Sequence, residues 1–156
     1  MQFFLLLLKV AFVTSQIAWK NCHDNSNTIK LLNLTIHPYP IVAPGSITVK
    51  LTIHNEQEIS SPLKVDLSLH KKILFGSIPV PCISGIGSCK YDDLCSLCPQ
   101  CGCPMAIGDH IITLPITIDT TSWALVGSYQ AQVDVETNSG EKGCVTLSNI
   151  HIESSK

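Results

Sequence analysis

The sequence predicts an all-β fold, either a sandwich or a barrel, and three observations support that prediction. Four stretches alternate apolar and polar residues with a period of two, the pattern of a half-buried antiparallel strand. Glycine- and proline-rich turn signals separate the stretches, and none shows an apolar period of 3.6 residues. The chain has 156 residues, of which 45% are hydrophobic and 14% charged, which is the composition of one folded domain.

The N-terminus predicts a signal peptide over residues 1–15. Phe3–Leu8 and Val10–Ser15 form an apolar run that is shorter than the ~20 residues needed to cross a bilayer and suits a signal h-region. A cut after residue 18 is the alternative, and a buried first strand is the competing interpretation. We therefore expect a mature domain over residues 16–156 that is secreted or luminal.

Seven strands are expected along the mature chain. They are Thr28–His37, Ile47–His54, Leu63–His70, Leu74–Val80, Ile111–Ile118, Tyr129–Glu136 and Val145–Ile152. In the first strand, Leu32, Leu34 and Ile36 are expected to point inward. The inward faces of the alternating strands carry no charged residue, so they suit either a filled core or the apolar wall of a lipid pocket.

The eight cysteines predict disulfides rather than a metal site. Cys22 and Cys144 lie near the two ends of the domain, and Cys82 and Cys89 flank a glycine-containing loop. The remaining four are Cys95, Cys98, Cys101 and Cys103. Their spacing differs from that of an iron–sulfur run and lacks the longer gap of a four-cysteine zinc site, and a secreted chain favours disulfides. Spacing alone leaves the pairing open, because eight cysteines allow 105 connectivities.

A series of short segments forms a pattern over nearly the whole mature chain. They are Trp19–Cys22, Pro40–Gly45, Ser61–Leu67, Ile78–Cys82, Ile86–Cys89, Cys101–Pro104, Ser122-Trp123, Gly127–Tyr129 and Gly143-Cys144. In this order, and with all eight cysteines matched, they resemble the ganglioside GM2-activator-like members of the ML (MD-2-related lipid-recognition) family. The resemblance implies the pairs Cys22–Cys144, Cys82–Cys89, Cys95–Cys103 and Cys98–Cys101. A rearranged pairing within the last four cysteines is the alternative, because Cys98–Cys101 closes a very small ring.

The resemblance also implies a fold and a function. The fold is an immunoglobulin-like β-sandwich of about seven to eight antiparallel strands, with four disulfides and a lipid cavity between splayed sheets. The function is non-enzymatic lipid binding and transfer, with a glycolipid such as a ganglioside favoured, transient contact with a membrane surface, and a possible role as activator of a lysosomal glycosidase. The implied location is outside the cell or in the lysosomal lumen.

Two other functions remain open at this point. Within the same family, the protein could carry a sterol or a phospholipid or recognise a microbial lipid. In a different class, it could be a secreted adhesion or interaction sandwich with a filled core. A bound lipid separates the lipid-binding functions from the filled sandwich.

The sequence departs from the family pattern beside the cavity mouth. Only Ser96 and Leu97 separate Cys95 from Cys98, where the family has a long segment. Ser77 stands where the family has a tryptophan. We therefore expect part of the rim and of the enzyme-docking surface to be missing.

Inward strand positions and one apolar segment give the expected lipid-binding residues. The expected lining is Ile36, Val49, Leu51, Leu67, Ile112, Leu114 and Tyr129. Near the mouth we place Phe75, Trp123, Leu125 and Val126 as an apolar lip. Such a patch is typical of a membrane or partner site, and the amphipathic tryptophan suits a bilayer interface. The alternative is that Trp123 belongs to the core.

The remaining candidates are few. Asn33 begins the sequon Asn33-Leu34-Thr35 and is expected to point outward, so we expect it to be glycosylated. All ten basic residues are lysines, which disfavours nucleic-acid binding because arginine is the usual bidentate contact. No metal spacing, cofactor loop or catalytic constellation is present, and Asp92-Asp93 is expected to be a solvated turn.

Overall fold

The computed structural model describes residues 17–23, 26–83, 85–118 and 125–154. Its elements are β1 (Ala18–Asn21), β2 (Ile29–His37), β3 (Ile41–Ala43), β4 (Gly45–Asn55), β5 (Leu63–Ile73), β6 (Gly76–Pro79), β7 (Lys90–Tyr91), α1 (Leu94–Leu97), a 3-10 helix (Pro99–Cys101), β8 (Gly108–Ile118), β9 (Gly127–Thr137) and β10 (Lys142–Ser154). Both helical segments are about one turn long, and no helix within these ranges is long and apolar enough to span a bilayer.

The strands form two sheets that face each other, so the expected all-β sandwich is confirmed. The large sheet has the order β1-β10-β9-β5-β6, with β3 also paired to β10 and β7 to β5. The small sheet has the order β2-β4-β8. All seven expected strands are present. Strands β1, β3 and β7 were not expected, because two to four residues are too short to show a period.

The boundary between the fourth and fifth expected strands was wrong. Strand β5 continues beyond His70 to Ile73, and β6 begins only at Gly76. Leu74 and Phe75 therefore form the tip of a hairpin. The alternation did not predict this extension, because Lys71 occupies a position where an apolar residue was expected.

One side of the sandwich is closed where β1 and β10 lie beside β2. The Asn21 amide bridges the sheets there: its Nδ2 donates to the Leu31 carbonyl and its Oδ1 accepts from the Leu31 N–H, both at 2.9 Å. At this point the register of β2 against β4 shifts, between Leu31 and Asn33. The expectation that Leu32 points inward is therefore wrong: Leu31 is buried and Leu32 is exposed.

One end of the sandwich is closed by the cysteine-rich segment between β7 and β8. Helix α1 lies against β5, and the 3-10 helix lies against β8. The buried cluster at this end comprises Ile29, Ile59, Leu63, Cys98, Cys101, Met105 and Ile112. The cysteines are paired as Cys22–Cys144, Cys82–Cys89, Cys95–Cys103 and Cys98–Cys101, the pairing that the family resemblance implies.

Asp93 organises this closed end and is more than a solvated turn residue. Its Oδ1 accepts from the backbone N–H groups of Leu63 and Cys95, each at 3.0 Å, so it caps α1 and joins it to the start of β5. Its Oδ2 accepts from the hydroxyls of Ser61 and Ser96. These bonds, first of all the one from Ser61, lower the pKa of Asp93 to about 2, since they stabilise the charged form.

Candidate lipid-binding site

The interior of the sandwich has two separate packed clusters. The first is the disulfide end described above, and the second surrounds Ile41, Ile47 and Val49, where β3 approaches β4. Leu51 and Leu114 pack against both clusters. Apolar residues further along the inner face of the large sheet are only half-buried; they include Leu67, Leu69, Val133 and Leu147. The two sheets therefore do not cover each other completely.

The uncovered region lies along the side opposite β1 and β2. There β8 is the edge of the small sheet, and β5 with β6 forms the edge of the large sheet. Three inward isoleucines at these edges remain exposed: Ile73 by 48%, Ile78 by 47% and Ile116 by 42%. We call this opening, between β8 and the β5–β6 hairpin, the mouth of the interior.

All seven expected lining residues lie on the inner faces of the two sheets. Val49, Ile112 and Tyr129 are buried, and the first two belong to the packed clusters. The half-buried ones are Ile36, Leu51, Leu67 and Leu114. Ile36, Leu51 and Leu114 pack against the buried clusters, whereas Leu67 belongs to neither and borders the incompletely covered region. Their contact with a lipid stays a prediction.

None of the three mouth isoleucines was among the expected lipid-binding residues. Ile116 lay on the apolar face of an expected strand but was not included in the lining. Ile73 lay outside every expected strand, and Ile78 lay on a strand without a clear alternation. The only available signal was the apolar content of 73–78, which does not distinguish an inner face from a hairpin tip. Beyond the mouth, Leu74 is 87% exposed and Phe75 is 90% exposed at the tip of the hairpin. Phe75 therefore lies at an exposed hairpin tip, and its part in lipid binding stays a prediction.

Of the apolar lip expected before β9, the structure describes Leu125 and Val126. Trp123 lies outside the described residues. Leu125 is half-buried and Val126 is exposed. The hydroxyl of Tyr129 donates to the carbonyl of Leu125 at 2.7 Å and holds the segment against β9. Burial of the ring region raises the pKa of Tyr129.

A lysine lies on the inner face close to the mouth. In the register of the large sheet, Lys71 is paired with Tyr129 and with Ile78, so all three side chains share one face. The Nζ of Lys71 lies 5.9 Å from the centre of the Tyr129 ring. The expectation that the inward faces carry no charge was therefore incomplete, because it stopped at His70.

The outer face of the large sheet is polar and forms a separate groove of about 510 Å³. Two ion pairs flank it, Lys90 with Asp66 at 3.9 Å and Lys142 with Glu136 at 3.8 Å. These charges suit contact with water and do not suit an acyl chain. The apolar interior is consequently the better candidate for a lipid site.

Other candidate residues lie away from the mouth. Asn33 is exposed on β2, an edge strand of the small sheet, and its glycosylation stays a prediction. His54 pairs with Asp109 at 2.6 Å on the outer face of that sheet. Within the described ranges, no group of three or more His, Cys, Asp or Glu residues is arranged to hold a metal ion.

The fold and the site define a disulfide-linked β-sandwich with an apolar interior that is open on one side. A model of the ML domain matches residues 16–151, so the chain belongs to the ML-domain family, a family of lipid-binding proteins. It is 28% identical to the ganglioside GM2 activator of Mus musculus, in a match covering 83% of this chain and 79% of that protein. It is 29% identical to the ganglioside GM2 activator of Macaca fascicularis, over 83% and 80% of the two chains.

Two solved structures share the fold. A Niemann-Pick type C2 protein from the Japanese carpenter ant has a TM-score of 0.58 at 16% identity, covering 87% of this chain and 99% of that one. Chicken MD-1, solved in complex with lipid IVa, has a TM-score of 0.56 at 15% identity, covering 86% of this chain and 88% of the other. At these identities the likeness concerns the fold alone.

Proposed function

We propose that this protein takes up the acyl chains of a lipid between its two sheets and carries or presents that lipid without chemically changing it. The observation that carries the proposal is the row of half-exposed apolar residues on facing inner surfaces, ending at Ile73, Ile78 and Ile116. A plain structural sandwich gains stability by closing such surfaces. An interior left open on one side is suited to an apolar guest.

The energetics of this proposal follow from chain burial. Each methylene removed from water contributes about 0.8 kcal/mol, so a chain of about twelve buried methylenes has a gross gain of about 10 kcal/mol. Association and ordering costs reduce that figure. With an association cost of about 4 kcal/mol, a net gain of about 6 kcal/mol remains for one such chain, which corresponds to a Kd of tens of micromolar. A lipid with two buried chains would bind more tightly.

The relatives favour a glycolipid, such as a ganglioside, as the guest. Both curated relatives are ganglioside GM2 activators, and their similarity extends over most of this chain. We propose by analogy that the lipid is presented to a soluble lysosomal glycosidase, and that the protein acts outside the cell or in the lysosomal lumen. A sterol or a phospholipid is the alternative guest.

The β5–β6 hairpin supplies a means of reaching a membrane. Leu74 and Phe75 stand at its tip almost fully exposed, next to the mouth. Apolar side chains in this position can enter the acyl region of a bilayer while the mouth faces the same surface. We propose that transient insertion of this tip lets a lipid move between bilayer and interior without crossing water.

Native mass spectrometry of protein secreted from eukaryotic cells, followed by organic extraction, tests the proposal. We expect a co-purifying lipid, or an adduct after challenge with mixed phospholipids, sterol and ganglioside, and its headgroup identifies the class. Bare protein after both steps would refute lipid binding and favour the adhesion sandwich. Hydrolysis of the ganglioside by a purified glycosidase, with and without this protein, separately tests presentation.

A further inference from the structure

Lys71 is exceptional among the charged residues of the sandwich. On the strands of the described chain, every other lysine, aspartate and glutamate occupies a register position on an outer face or at a sheet margin. Lys71 follows Leu67 and Leu69 on the inner face of β5 and precedes Ile73 at the mouth. Lysine seldom occupies an inner face, and Lys71 is half-buried there.

The surroundings hold the Lys71 side chain in a defined place. Its Nζ lies 5.9 Å from the centre of the Tyr129 ring, within the range of a cation–π contact. Gly127 makes room for its stem: a Cβ built on Gly127 would lie 2.9 Å from Cε and 3.6 Å from Nζ of Lys71. Gly127 also has φ +149°, a conformation that other residues rarely adopt. A residue with a side chain at position 127 would therefore collide with the stem of Lys71.

The position of the Lys71 ammonium group is suited to binding the polar headgroup of a lipid. The hydroxyl of Tyr129 donates to the Leu125 carbonyl just before β9, and the mouth residue Ile78 lies beside Lys71 in the register. A lipid whose chains lie between the sheets would leave its polar end among these residues. An ammonium group has three N–H donors and forms charge-assisted hydrogen bonds with oxyanions.

We propose that Lys71 selects lipids with an acidic headgroup, by binding a phosphate or carboxylate oxygen at the mouth while the acyl chains occupy the interior. This inference rests on the proposed lipid-binding function and narrows it to a ligand class. If Lys71 is such a specificity site, the dissociation constant should depend on the headgroup, whereas burial of the acyl chain should not depend on Lys71.

The experiment compares three probes that share one palmitoyl chain, so that chain burial cancels. They are palmitoyl lysophosphatidylglycerol with a phosphate, N-palmitoylglycine with a carboxylate, and neutral monopalmitoylglycerol. Dissociation constants are measured at pH 7.4 by displacement of a fluorescent fatty-acid analogue. Because a charge-assisted hydrogen bond contributes more than a neutral one, we expect the acidic probes to bind the wild type about tenfold more tightly than the neutral probe.

The variants separate selection from packing. Lys71→Met keeps the length of the stem and removes the charge, so we expect it to bind all three probes within about twofold of each other, with little change for the neutral probe. Lys71→Arg should retain the preference. Lys72→Met is the matched control, because Lys72 is exposed on the opposite face of the same strand, and it should leave the preference unchanged.

Each outcome decides the question. Equal affinity of the wild type for acidic and neutral probes refutes the role of Lys71 but leaves lipid binding intact. Failure of all three probes to bind removes the proposed function and this inference together. If K71M does not fold, the test is the preference of the wild type for acidic over neutral probes, which should disappear at high salt because salt screens the charge interaction. Glycerol 3-phosphate without an acyl chain should not displace the probes; displacement would indicate a free-anion site instead.

Discussion

Replacement of the hairpin tip by polar residues should separate membrane binding from folding. In the double variant Leu74→Ser/Phe75→Ser, the two removed side chains are almost fully exposed in the folded protein. Their loss should change the free energy of unfolding by no more than about 0.5 kcal/mol per residue, as is usual at exposed positions. The same side chains are the ones proposed to enter the bilayer.

The expected effect on membrane binding follows from the buried area. Full burial of a leucine or phenylalanine side chain contributes about 1.5–3 kcal/mol each, so the pair accounts for about 3 kcal/mol at the lower bound. Since 1.4 kcal/mol corresponds to a factor of ten, partition into vesicles should fall by about a hundredfold. Sedimentation with phosphatidylcholine vesicles containing phosphatidylglycerol measures this change directly.

The control is Ile111→Ser, which removes another apolar side chain, 65% exposed, from the outer face of β8 away from the mouth. We expect this variant to sediment with vesicles like the wild type, because its side chain faces away from the proposed contact. If the hairpin variant keeps its fold and still partitions like the wild type, the tip does not insert. A similar loss in both variants would mean that general surface hydrophobicity drives the binding.

Three further predictions concern the framework of the domain. Replacing Cys22 and Cys144 by alanine removes a disulfide between residues 122 apart, and the loop-entropy relation predicts that the free energy of unfolding falls by about 5 kcal/mol. For the Cys98–Cys101 disulfide, which joins residues three apart, the same relation predicts a loss of about 2 kcal/mol. Urea unfolding of both variants measures the difference, and equal losses would argue against the entropic explanation. Asp93 has a folded-state pKa of about 2, below the unfolded value of 3.8, so its stabilisation is present above about pH 4 and is lost as the pH falls toward 2. The Tm difference between the wild type and Asp93→Ala should accordingly be present at pH 5 and vanish near pH 2, and a pH-independent difference would contradict this assignment. Asn33→Gln should remove a glycan from the secreted protein, visible as a lower intact mass, and an unchanged mass apart from the substitution would show that the exposed sequon is not used.

The strands were predictable because their signal is local. A strand buried on one face repeats its apolar residues every second position, and β4, β5, β8 and β9 show that period without interruption over most of their length. The family segments then predicted the sandwich, and their order implied a cysteine pairing that spacing alone left open.

The errors at strand boundaries also have local causes. Strand β5 was ended too early because Lys71 interrupts the apolar positions, although the backbone keeps its extended conformation to Ile73. Leu32 was assigned inward because a period of two cannot reveal a shift in register, which accompanies the bond of Leu31 to Asn21 on the other sheet. In the first case a charged side chain interrupts the row of apolar residues, and in the second a contact between the two sheets shifts the register.

The sequence by itself determined the class of fold, the segments that form strands and the faces of most strands that carry apolar residues. Only the tertiary structure decided which apolar faces are covered. Leu67 belongs to the same alternating pattern as Leu63, yet Leu63 is buried in a packed cluster whereas Leu67 is only half-buried and belongs to neither cluster. Alternation is a property of a single strand, whereas coverage depends on the separation of two sheets, which is set by contacts between residues distant in the chain.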